Sequence, residues 1–229
     1  MKKISFPIKK KLLSKDFYLK EDVVLLAKKL LGKYLFTQDE RGNITSGIIV
    51  ETEGYAGATD KASHAYKRKY TKRTKIMYEE GGIAYIYLCY GMHHLLNVVT
   101  NKKDVPHAIL IRAIEPKKGI EFMMKRRNKK IFDFSLTSGP GSLTQAFGIT
   151  KKHNGLSFHS TRIWIEDSNI SFSKDQILSS PRIGIDYAKE HAQLPWRFYL
   201  KGNPWISKTK QKTKTKKNKS DNLTKQKKK

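Results

Sequence analysis

Cysteine and acidic side chains are the scarce components of this 229-residue chain. The single cysteine, Cys89, excludes an internal disulfide framework and a zinc cluster built on cysteines, and within an aromatic run it reads as a packing residue. No run of about eighteen apolar residues occurs, so no transmembrane helix and no membrane partner are expected. The basic start, residues 1–13, has too few apolar positions for a secretory signal, which makes the reading cytoplasmic. Internal repeats are absent. Only 20 acidic residues face 47 basic ones, and the formal charge of +27 calls for a polyanionic partner, with nucleic acid first in line.

Part of that excess is a tail. Residues 208–229 hold eleven lysines and one aspartate, or +10, which leaves +17 for the rest of the chain. With Leu223 as its one large apolar residue, this stretch cannot offset the entropy of ordering and is expected to be disordered. It reads as a sequence-independent tether to phosphate or as a solubility tail. The expected organisation is a basic leader over 1–15, one folded domain over 16–207, and the lysine-rich tail. A hydrophobic content of 38% suits a single sizeable core.

Apolar residues spaced three and four apart predict a helix over 20–31, ended by Gly32. Strands are expected over 34–37 and 44–50, joined by a turn at 39–43, then over 83–88, 95–100, 109–114, 162–165, 182–185 and 197–200. Residues 57–74 lack periodicity and carry His64, Lys67, Arg68, Lys69, Lys72 and Arg73, so they read as a basic loop. Pro116 is placed to start a helix over 117–126, and Gly139-Pro140-Gly141 to precede another that runs to Phe147. The basic cluster at 125–130 suits a solvated helix end and a phosphate contact equally. The fold class is α+β: one mixed domain with a curved, mostly antiparallel sheet, surrounding helices and a protruding β-hairpin around Tyr90-Gly91.

The stretch that organises the rest begins at Val50-Glu51-Thr52-Glu53-Gly54-Tyr55. On a strand, Glu51, Glu53 and Tyr55 share one face, which is either a solvated strand face or an acid/base group beside a stacking surface. Further on come Tyr85-Ile86-Tyr87-Leu88-Cys89-Tyr90-Gly91-Met92, then Asn97, Leu110-Ile111-Arg112-Ala113-Ile114-Glu115-Pro116, Gly139-Pro140-Gly141-Ser142-Leu143 and Pro195-Trp196-Arg197-Phe198-Tyr199. In this order they resemble the alkyladenine type of 3-methyladenine DNA glycosylase, over roughly residues 19–207.

The resemblance implies a cofactor-free, metal-free monomer that flips and hydrolytically removes alkylated purines such as 3-methyladenine and 7-methylguanine from duplex DNA, with neutral hypoxanthine and ethenoadenine as candidate further substrates. It implies Glu53 as the base that activates water, with Arg112 beside it, and Tyr55, His64, Tyr87 and Asn97 around the extruded base. Tyr90 matches the residue that fills the vacated stack, and Thr71, Arg73 and Met92 fall where the family meets the DNA backbone. The chain departs from the family pattern at Gly54, Lys72, Thr74, Gly81 and Ser142. A metal site from His64, His93 and His94 is disfavoured, because adjacent histidines on a strand point to opposite faces. Without the motif order, the same charge and eleven tyrosines also fit a non-enzymatic RNA- or ribosome-associated module.

Overall fold

The computed structural model describes residues 11–208, so the lysine-rich tail beyond Lys208 lies outside the described residues. A single antiparallel sheet carries the fold. Its strands are β1 (Tyr34–Gln38), β2 (Ile44–Tyr55), β3 (Ala84–Cys89), β4 (His93–Thr100), β5 (His107–Lys118), β6 (Ile163–Glu166), β7 (Ile177–Ser180) and β8 (Arg197–Leu200). They are arranged β3-β4-β5-β2-β1-β6, with β8 joining β2 and β7 joining β8. The central strand β2 is long enough to change neighbours: its first half pairs with β1 and its second half with β8, while β5 follows it along the other edge. Sheet and helices form one mixed α+β domain that curls around a single main core.

Four short α-helices, α1 (Lys15–Tyr18), α2 (Val23–Lys29), α3 (Ile120–Arg126) and α4 (Pro140–Ala146), cover the sheet among the described residues. The expected helix over 20–31 is shorter than its apolar stripe. Asp22 caps it by accepting the Leu25 amide at 2.9 Å, and Val23, Leu26 and Ala27 face inward. Leu12 and Leu13, at the end of the basic leader, already lie against β6, with the Leu13 amide donating to the Ile165 carbonyl.

Two expectations are corrected. Pro116 does not start a helix: β5 continues through it to Lys118, and α3 begins only after Gly119, whose φ of 71° turns the chain. Pro116 lies opposite Gly47 where the β2–β5 register shifts, a position at which a missing amide hydrogen is tolerated. Residues 182–185 are not a strand either. They form a loop held by side chains, and the strand in that region is β7, five residues earlier in the chain.

The pleat of β3, β4 and β5 sorts their residues onto two faces. Ile86, Leu96, Val98, Ile109 and Ile111 enter the main core with Phe147 and Phe198. Their alternates, Tyr85, Tyr87, Asn97, Leu110 and Arg112, line a cleft on the other face. Strand β2 obeys the same rule: the Thr52 hydroxyl donates to the Ala27 carbonyl of α2 at 2.8 Å, and Glu51 and Glu53 point the opposite way. Tyr90 and Gly91 form the tip of the β3–β4 hairpin with positive φ of 49° and 70°, and the Met92 amide returns to the Cys89 carbonyl at 3.1 Å. That is the pattern of a type I′ turn.

Gly47 allows β2 and β5 to approach at the register shift. A Cβ there would stand 2.4 Å from Ile114 Cγ2 and 2.5 Å from the Glu115 carbonyl oxygen. Gly47→Ala is therefore expected to destabilise the domain by about 1–3 kcal/mol, read as a lower urea midpoint with an unchanged slope.

Candidate active site

The cleft has a volume of about 630 Å³ and is walled by aromatic rings from β2, β3 and the basic loop. Tyr55, His64, Arg73, Tyr87, Asn97 and Arg112 all line it, so six of the residues singled out from the sequence meet in one place. Tyr90 reaches its rim from the hairpin and is 84% exposed. Leu88 and Met92 beside it are 50% and 69% exposed, making the tip an apolar projection. Met92 and Thr71 do not line the cleft. Thr71 is tied into its own loop, where its amide donates to the Thr74 hydroxyl at 2.9 Å.

Glu53 lies under the floor with no solvent exposure. Its three partners form that floor: the Tyr55 hydroxyl donates to Oε2 at 2.7 Å, the Ile183 amide donates to Oε1 at 2.8 Å, and Arg112 Nη1 is 3.2 Å from Oε1. A water molecule therefore reaches the carboxylate only when a floor side chain, such as Tyr55, gives way. Around Glu51 the β2–β5 register is irregular, and Arg112 has no partner in the ladder, a device that re-aims a side chain.

Glu51 is not the solvated neighbour that its charge suggests. It is fully buried and accepts from Arg112 Nε at 2.8 Å, Arg197 Nε at 2.6 Å, and the Ser207 amide and hydroxyl, both at 2.7 Å. Burial pushes its carboxyl up, but the Arg112 and Arg197 guanidiniums and the Ser207 amide more than offset this and hold it below the usual range. Arg112 experiences the reverse. Burial opposes its charge, and Glu53 and Glu51 restore it. The two carboxylates and two guanidiniums thus form a charge-balanced network, and Arg112 is committed to it through Nε and Nη1 while Nη2 reaches the Ser207 hydroxyl at 3.3 Å.

Other contributors act through contacts that sequence spacing does not reveal. Tyr85, which shares a strand face with Tyr87, is buried and places its hydroxyl 2.8 Å from His64 Nδ1. Arg182 forms a buried two-pronged pair with Asp60 and lies between two rings, 4.7 Å from the Tyr55 centroid and 5.1 Å from that of Trp196. Asn97 is buried and donates to the Tyr85 carbonyl at 3.1 Å. Burial, then the charges of Arg73 and Lys69, pushes His64 down to about 4, so the imidazole is neutral at ordinary pH. Burial likewise raises the Tyr55 and Tyr87 phenols, which stay protonated. Gly54 has room for a methyl side chain, since a Cβ would meet nothing closer than 3.5 Å. Among the described residues no group of three or more His, Cys, Asp or Glu could hold a metal ion, and no helix is long and apolar enough to cross a membrane.

Residues 16–204 match the family model for methylpurine-DNA glycosylase. A Chlamydia felis protein, provisionally named 3-methyladenine DNA glycosylase, is 53% identical over 192 residues, covering 82% of this chain and 96% of its own. Proteins with the same provisional name from Clostridium novyi and Alkaliphilus oremlandii are 45% and 47% identical; they cover 86% and 80% of this chain, and 99% and 92% of their own lengths.

Replacing Glu51 by Gln leaves two buried guanidiniums facing one carboxylate, and a loss of about 3–5 kcal/mol of stability at neutral pH is expected. Because folding lowers the Glu51 pKa, its contribution is present above the unfolded value near 4.5 and is lost as pH falls through the depressed folded value. Urea titrations of the two proteins should therefore differ most at pH 7 and converge in acid.

Proposed function

This chain belongs to the methylpurine-DNA glycosylase family, and from that premise we propose that it flips alkylated purines out of damaged duplex DNA and hydrolyses their N-glycosidic bonds. DNA repair by a glycosylase is the activity of the family; the choice of base, the flipping and the residue roles are the proposal. The observation that carries it is the joining of Glu53 and Arg112 under a cleft walled by Tyr55, Tyr87 and His64, with exposed Tyr90 at its rim.

Hydrolysis at C1′ builds positive charge on the sugar while water attacks and the base departs. Glu53 accepts the proton of that water and stabilises the sugar cation once the incoming nucleotide displaces the Tyr55 hydroxyl. Arg112 keeps the carboxylate aimed at the floor. The extruded base stacks against Tyr55 on one side and Tyr87 with His64 on the other, and Asn97 bounds its far edge. Tyr90 enters the stack in the place the nucleotide leaves, flanked by Leu88 and Met92. In this reading Thr71 and Met92 contact the DNA backbone, Arg73 of the same backbone group is taken up below, and the lysine-rich tail adds a sequence-independent tether. Bases such as 3-methyladenine and 7-methylguanine already carry positive charge and leave readily. The protein acts as a monomer in the cytoplasm, wherever the chromosome is exposed.

Glu53→Gln is expected to lower base release at least about 100-fold while a gel-shift measurement finds lesion binding within a few-fold of wild type. Undiminished release would remove Glu53 from the reaction. No lysine is among the residues lining the cleft, so the product should be an intact abasic site. Borohydride added during turnover should trap no enzyme–DNA adduct, and a trapped adduct would require an amine nucleophile instead.

A further inference from the structure

Three guanidinium groups line or flank this cleft, and they are not equivalent. Arg112 is neutralised by Glu51 and Glu53, and Arg182 by Asp60. Arg73 forms no ion pair with a carboxylate among the described residues. Its guanidinium carbon instead lies over the Tyr87 ring, 4.9 Å from the centroid, and Nη2 is 2.8 Å from His64 Nε2. A guanidinium can only donate, so the neutral imidazole accepts from Arg73, whose Nη2 is 2.8 Å from Nε2 and 3.4 Å from Nδ1, while Nδ1 also faces the Tyr85 hydroxyl at 2.8 Å. The wall expected to receive the extruded base thus presents a fixed positive charge and a row of donors. A cation over a ring draws on the same π density that would attract a cation from elsewhere. The Tyr87 wall is therefore a poorer host for a positively charged base than a bare tyrosine would be, whereas the guanidinium behind Tyr55, that of Arg182, is already paired with Asp60.

Resting on the glycosylase reading above, we propose that Arg73 determines specificity in this site by favouring neutral damaged purines over purinium cations. The electron balance of the reaction gives each substrate its own signature. Water oxygen bonds to C1′, its proton passes to Glu53, and the C1′–N9 pair returns to the purine. A neutral lesion such as hypoxanthine departs with that pair as an anion, which the Arg73 donors stabilise as it forms, before it takes a proton from solvent. A 7-methylguanine cation departs neutral, so its repulsion from Arg73 is felt when it is bound and fades as the bond breaks. Loss of Arg73 should then slow the chemical step for the neutral lesion and tighten binding of the cationic one. At a separation of about 5 Å on the edge of solvent, a unit charge changes such ratios by roughly tenfold.

The test uses the full chain in single-turnover reactions on duplexes carrying one hypoxanthine or one 7-methylguanine. Arg73 is exposed, so its variants should fold. Arg73→Ala and Arg73→Gln are expected to lower the maximal rate on hypoxanthine about tenfold and to lower, or leave unchanged, the half-saturating concentration on 7-methylguanine. Arg73→Lys, which keeps the charge, should retain most of the hypoxanthine rate. Parallel loss on both lesions with a reduced salt dependence would make Arg73 a phosphate contact and overturn the proposal. Unchanged constants on both would overturn it too. A wild-type protein that released neither base would instead remove the glycosylase reading, and this inference with it.

Discussion

The buried network of Glu51, Glu53, Arg112 and Arg197 is the constraint on which the site depends. β2 runs between β5 and β8, so its two carboxylates receive one arginine from each neighbouring strand. Four charges withdrawn from water are tolerable only because each has a close partner and the spare lone pairs are taken by Ser207 and the Ile183 amide. Such an arrangement allows few alternatives: if the register of β5 slips, Arg112 loses both carboxylates together. The irregularity at Glu51 is the point at which sheet geometry yields to this pairing. It follows that the orientation of Glu53 is set mainly by strands, which suits the proposed role of meeting a water molecule in one geometry. Ser207 adds a further tie, because it brings the end of the described chain back beneath the cleft.

Above the floor, the electrostatics of the cleft follow from how its rings are supported. Arg182 is buried against Asp60 and stacks behind Tyr55, so it holds that ring while presenting no free charge. On the opposite side, Tyr85 anchors the His64 ring and Arg73 lies over Tyr87. Beneath the floor the charges are balanced; Arg73 on the Tyr87 wall has no carboxylate partner among the described residues, and Lys67, Arg68, Lys69 and Lys72 of the same loop are exposed outside the cleft lining. Basic loop and cleft are thus one electrostatic unit, which spacing alone could suggest but not locate.

How much of this was legible beforehand depended on the range of the interaction concerned. Alternation along β2 was readable because a two-residue period is local, and it put Glu53 and Tyr55 on one face; Tyr87, Asn97 and Arg112 were singled out by resemblance alone, and the structure brings them to the same cleft. Tyr85 obeys the same alternation, yet its bond to His64 joins strand to loop and leaves no periodic trace. Glu51 and Glu53 look alike in sequence; only the arginine of β8 and the turn of Ser207 distinguish them. Pro116 misled because a proline before a helical pattern usually opens the helix, whereas here a register shift absorbs it within the strand. Residues 182–185 misled for the opposite reason: their apolar alternation is real, but Arg182 is held by Asp60 and the Gly54 carbonyl, and Ile183 gives its amide to a carboxylate instead of a ladder.

Tyr90 is different, because no contact among the described residues explains it. An aromatic residue at a φ of 49° carries a steric penalty of about 1–2 kcal/mol that glycine or asparagine would largely avoid in the same turn. At 84% exposure, little packing among the described residues offsets this. Leu88 and Met92 extend the same uncompensated apolar surface. Strain and exposed hydrophobic area at one hairpin tip, beside a cleft rich in aromatic rings, are understandable when the compensating contacts lie in another molecule. A stack of base pairs with one nucleotide withdrawn offers a flat, apolar gap of suitable shape, and the positive fringe of the cleft would hold the strands on either side of it.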